Sequence, residues 1–120
     1  NYQDPSVRKH LKAEAKAMVE RYKTTPGVLL WLLGNENNYG LHWSSNEIEA
    51  LPKDEQQAGR AAYLYSLYGE AIDLIHTLDR NHPVSLSNGD IQYIDLIAKY
   101  PKYAQLLDQE AGEPLGARMR

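Results

Sequence analysis

Residues Gly27 to Leu33 (Gly-Val-Leu-Leu-Trp-Leu-Leu) form a short apolar run that stops abruptly at Gly34-Asn35-Glu36. A run of this length, launched by Pro26-Gly27 and closed by glycine, predicts a strand buried on both faces, the usual state of a parallel strand flanked by helices. α/β enzymes place their chemistry at the C-terminal ends of such strands, and here a carboxylate arrives at once. Glu36 is therefore the first candidate for a functional residue.

The flanking sequence predicts helices. Asp4-Pro5 reads as the N-cap and first-turn proline of a helix that runs to Tyr22. Val7, Leu11, Ala15, Met18 and Tyr22 recur in it at spacings of three and four, with Lys, Arg and Glu opposite. Thr24-Thr25-Pro26-Gly27 ends that helix, because proline disfavours helical geometry in the residue before it. After the strand comes a long polar loop, Asn35 to about Lys53, and long loops at strand ends are commonly binding loops. A second helix, about Lys53 to Leu78, carries Ala61, Leu64, Tyr65, Tyr68, Ile72, Ile75 and Leu78 on one stripe. Tyr63, Tyr65 and Tyr68 share helical spacing there, which favours core packing.

Val84 to Ser87 predicts a second strand, ending in Asn88-Gly89-Asp90 much as the first ends in Gly34-Asn35-Glu36. Two strands joined through a helix of this length pair in parallel by a right-handed crossover, which brings both polar tips to one edge of the sheet. Asn35, Glu36, Asn88 and Asp90 are then expected on a shared rim. Asp90 also suits the N-cap of a third helix, Ile91 to about Tyr100, with Ile91, Ile94 and Leu96 or Ile97 facing inward. The expected fold class is α/β, in the order helix, strand, helix, strand, helix.

Composition narrows the choice of partners. Thirteen basic and sixteen acidic residues leave a net charge of −3 with no long block of either sign, so attraction to nucleic acid or to an anionic membrane is not expected. Without cysteine there is no disulfide or thiol chemistry. The apolar strand is too short to cross a bilayer, and the polar start Asn1-Tyr2-Gln3-Asp4 does not read as a signal peptide. His10, His42, His76 and His82 form no i, i+4 pair, so no metal is expected, and no glycine-rich phosphate loop implies a nucleotide cofactor.

The stretch from Pro26 to Glu36 resembles the fourth barrel strand of retaining β-glycosidases with the (β/α)8 fold, in which an Asn-Glu pair ends the strand. Asp4-Pro5 to Tyr22 resembles the helix before it, and His82-Pro-Val-Ser-Leu-Ser-Asn-Gly-Asp90 the fifth strand. The likeness is closest to the catalytic domain of glycoside hydrolase family 2 and covers about residues 1–100. It implies a partial TIM barrel followed by a divergent helical or irregular tail, 101–120. With 120 residues the chain has about half of the roughly 250 that a complete barrel needs.

By that resemblance Glu36 is the general acid/base, and Asn35 hydrogen-bonds the sugar hydroxyl next to the anomeric carbon. A glycosidic oxygen leaves poorly until protonated, so a carboxylic acid must sit beside it and later act as base on water. The family's nucleophile, a glutamate at the end of the seventh strand, has no counterpart here. Glu47, Glu49, Asp54 and Glu55 lie in the loop and helix start, where acidic side chains usually stay solvated or complement the helix dipole. His42, Trp43 and Asn88 are further candidates for carbohydrate contacts. Trp43 suits stacking on a sugar ring, and loop packing explains it as well. Trp31 reads as core packing.

Three readings stay open: a segment of a β-glycosidase catalytic domain, a noncatalytic carbohydrate-binding piece, and a self-associating α/β unit whose copies rebuild a closed sheet. A two-stranded unit with open edges is expected to associate or to need the remainder of the barrel. The resemblance alone suggests an extracellular or periplasmic setting.

Overall fold

A computed structural model describes residues 1–103, 105 and 107. Its elements are α1 (Pro5–Tyr22), β1 (Trp31–Leu33), a 3-10 helix (Asn37–Gly40), α2 (Asn46–Glu49), α3 (Gln56–Leu78), β2 (Val84–Leu86) and α4 (Gln92–Ala98). The expected order is present, with two short helices set into the long loop. β1 and β2 pair in parallel, with Trp31 opposite Val84, Leu32 opposite Ser85 and Leu33 opposite Leu86. The chain is α/β, rich in helix, with one two-stranded parallel sheet.

α1 starts where Asp4 and Pro5 predict. The Asp4 carboxylate accepts from the Ser6 amide at 2.8 Å and from its hydroxyl at 2.7 Å. The inward stripe needs a correction at its far end: Val19 is 1% exposed, whereas Met18 and Tyr22 are 54% and 37% exposed. The row Val7, Leu11, Ala15, Val19 follows a four-residue step, the ridge on which helices commonly pack. That row reaches Val19 and leaves Met18 and Tyr22 to either side.

α3 is the centre of the molecule. Its predicted stripe is buried from Ala61 to Ile75, but so are Ala58, Ala62, Ser66, Leu67 and Ala71 on its other faces. Small residues near its start admit close neighbours: a Cβ on Gly59 would lie 3.0 Å from Leu51 and 3.3 Å from Ile48. Leu41 from the loop, Ile97 from α4, and Tyr103 and Leu107 complete this core. Each fully buried Leu or Ile contributes about 1.5–3 kcal/mol. The core therefore continues past the expected divide at residue 100; the rest of the expected tail lies outside the described residues.

The apolar run misleads about β1. Only Trp31–Leu33 pairs as strand, while Leu29, Leu30 and Leu32 are 80%, 46% and 59% exposed. Successive side chains of a strand point to opposite faces. Leu33 and Leu86 turn toward the helical core, and Leu32 turns away from it. One helical layer covers one face, so the expected burial on both faces is not met.

α4 is shorter than predicted. The Asp90 carboxylate accepts from the Gln92 amide at 2.9 Å, so it serves the helix start although Ile91 holds the cap position. Ile97 is buried, and Ile94 and Leu96 pack on the core. Ile91 is 68% exposed, against expectation, because it precedes the first helical turn. Among the described residues no helix is long and apolar enough to cross a membrane.

Candidate functional site at the strand tips

The two strand tips meet. Ser87 donates its amide to Leu33 O at 3.0 Å, and Glu36 returns an amide to Ser87 O at 3.1 Å and to its hydroxyl at 3.3 Å. Asn38 closes the junction. It is fully buried, takes the Gly89 amide on Oδ1 at 2.9 Å, and donates Nδ2 to Asp90 O at 3.3 Å. Asn35, Glu36, Asn88 and Asp90 thus share one rim, as the parallel pairing predicts.

The backbone at this rim is unusual. Glu36 has φ 54° and ψ 35°, and it is the one non-glycine residue with positive φ among the described residues. A left-handed conformation costs an ordinary L-residue about 1–2 kcal/mol, and such strain gathers at functional sites. Gly34, at φ 74°, sets up the turn, and a Cβ there would lie 2.2 Å from the Tyr68 hydroxyl oxygen. Glycine is required at this position for both its torsion and its size. The turn is closed by the Asn35 amide on Asn37 Oδ1 at 3.1 Å and the Tyr39 amide on Glu36 O at 3.0 Å. The Glu36 side chain is exposed and makes no capping bond to the turn it precedes.

Tyrosines line the junction. Tyr39 lays its ring against Gly89, where a Cβ would come within 1.8 Å of it. Loss of solvation raises the Tyr39 hydroxyl above its ordinary range, and the charges of Asp90 and Glu36 raise it further. Tyr65 donates its hydroxyl to Asn88 Oδ1 at 3.3 Å. Burial pushes that hydroxyl up to about 12, with Tyr68, Asp90 and Tyr93 adding to the effect. Both phenols stay protonated at neutral pH. The rim is therefore an exposed carboxylate on a strained turn, flanked by amide side chains and neutral phenols, an arrangement able to give or take a proton at a bound group.

The other candidates lie in different settings. His42 is exposed just after the 3-10 helix, its amide on Gly40 O at 2.9 Å. Trp43 is half-buried, edge-on to Tyr2 and Tyr63 with centroids 6.4 and 6.3 Å away. Its indole nitrogen is buried without a partner, and its carbonyl accepts from Arg60 Nε at 2.6 Å. Trp43 is thus packed in the loop, one of the two settings its sequence suggests. Glu49 takes the Ser44 hydroxyl at 3.0 Å, and Glu55 pairs with Lys102 at 2.5 Å, so both are engaged away from the rim. Among the described residues no group of His, Asp and Glu could hold a metal ion.

The opposite ends of the strands hold a cluster that the sequence did not flag. Asp79, 4% exposed, accepts from Trp31 Nε1 at 2.8 Å and from the Asn81 amide at 2.9 Å, and lies 2.7 Å from His82 Nδ1. Burial opposes its charge, but the Asn81 amide, the Trp31 indole and His82 together hold it down at about 2. Trp31 therefore has a polar anchoring role beside the packing role expected of it.

No family model, curated protein or solved structure matches this chain.

Proposed function

We propose that this chain is the acid/base-bearing segment of a retaining β-glycosidase of the family 2 type, within a (β/α)8 barrel. The observation that carries the reading is Glu36 itself: an exposed carboxylate on a left-handed turn at the C-terminal tip of a parallel strand, hydrogen-bonded to the next tip. Maintaining a strained turn here has a purpose if the carboxylate must point at a substrate. In this reading Glu36 protonates the glycosidic oxygen as the bond to the leaving group breaks, then takes a proton from the water that releases the sugar. Asn35, next to it, bonds the neighbouring sugar hydroxyl, most strongly in the transition state. The nucleophile stands about 5 Å away on another part of the barrel.

The test joins this chain to the rest of such a barrel and measures hydrolysis of aryl β-glycosides. Glu36→Gln should lower kcat/KM about 10²- to 10⁴-fold for substrates with poor leaving groups, which need the proton. Strongly activated leaving groups should be far less affected. Undiminished turnover of the poor leaving groups would remove the assignment.

The binding-piece reading rests on Trp43, which is half-buried and edge-on to Tyr2 and Tyr63. Self-association keeps one specific observation in its favour, the exposed Leu32 on β1 and the exposed Leu29 and Leu30 just before it.

A further inference from the structure

A pocket of about 260 Å³ lies between α1, α3 and the tip of β1. Leu11, Leu33, Leu64 and Leu67 are among its apolar walls, and Gly34, Asn37 and Tyr68 line it where β1 ends. Tyr68 is 7% exposed, and its buried hydroxyl faces the Asn37 amide with its oxygen while its proton has no acceptor. Asn37 lies alongside, but its Oδ1 is taken by the Asn35 amide. Lys12, also on the lining, is bound to Glu70 at 2.5 Å. The wall therefore offers one buried hydroxyl proton without an acceptor and no uncommitted charge.

Those features define a ligand. An apolar cavity of about 150 Å³ in another protein holds benzene, so this one has room for a single substituted ring and too little for a disaccharide. With the cation at its edge already paired, a charged ligand would lose its hydration without compensation. An orphaned buried hydroxyl is costly, and a ligand oxygen that reached it would relieve the cost.

We propose that this pocket binds a small neutral phenol, its ring among the leucines and its oxygen on the Tyr68 hydroxyl. The site lies behind the Glu36 turn, shares Gly34 and Asn37 with it, and does not depend on the glycosidase reading. The ligand oxygen accepts the Tyr68 hydroxyl proton, and Asn37 keeps its bond to the Asn35 amide.

The experiment titrates phenol, and toluene as its apolar match, into the intact chain and follows backbone amides by NMR. Saturable one-to-one shifts are expected at Gly34, Leu64 and Leu67, with phenol bound several-fold more tightly than toluene. Tyr68→Phe should weaken phenol about tenfold, the worth of one hydrogen bond, and leave toluene unchanged. Ala71→Leu, filling the pocket with an unstrained helix residue, should abolish both. Non-saturating or scattered shifts, equal affinity for the two ligands, or phenol binding indifferent to Tyr68→Phe would each overturn the proposal.

Discussion

Glu36 holds a conformation that most residues avoid, and that has a measurable consequence. Replacing it with glycine should stabilise the chain by about 1 kcal/mol, because glycine adopts the left-handed region without a steric penalty. The urea midpoint should rise while the carboxylate is lost; a lower midpoint would mean that the side chain contributes more to the fold than its exposure indicates. The position of the site was legible in the abrupt change from Leu33 to Gly34-Asn35-Glu36, but its torsion was not. Asparagine tolerates the left-handed region better than glutamate, so Asn35 is the residue that sequence reasoning would choose for it. Asn38 was equally hidden. It stands beside Asn37 with the same chemistry, and what buries it is the tip of β2, whose Gly89 is 51 positions away. Asn38→Ala should cost about 1–3 kcal/mol by leaving the Gly89 amide and Asp90 carbonyl unpaired, read by urea unfolding, whereas Asn35→Ala should change little.

Among the elements, periodicity served α3 well because a long helix repeats its signal over many turns. For α1 the same signal drifted at the last turn, where only the crossing with α3 decides between Met18 and Val19. The apolar run of β1 is the clearest mismatch: a run can report apolar demand on both faces, but it cannot say whether a second layer is there to meet it. The strand starts are better anchored than their sequence suggests, through Asp79. Its carboxyl has an ordinary value of 3.8 and is held in the fold at about 2. Because the folded value is the lower one, its charge stabilises the fold fully above about pH 4, and that contribution is lost as pH falls toward 2. Urea midpoints taken from pH 5 to pH 2 should fall less steeply in Asp79→Asn than in the parent; parallel curves would show that the Trp31 and His82 contacts do not outlast the native state's fluctuations.

For the whole molecule, helices form the core and the sheet lies at its edge. Leu32 is exposed on that sheet and Leu29 and Leu30 on the segment leading into it, and two strands alone leave unpaired backbone at their margins. Sedimentation of the intact chain should show a defined oligomer, and Leu32→Lys should return it to monomer with its helical circular dichroism intact. A monomeric parent would remove the self-association reading. The parallel pairing and the shared rim could be foreseen, since topology follows from element order. The wrapping of α3 could not, because it depends on Leu41, Ile48 and Tyr103 arriving from three distant segments. That enclosure divides the molecule's freedom to vary: a change along α3 is felt by several neighbours at once, while at the strand tips the exposed side chains of Asn35 and Glu36 can be rewritten as long as Gly34, Asn38 and Gly89 hold the frame. A chain built this way can acquire new specificities by editing its margin and leaving its interior alone.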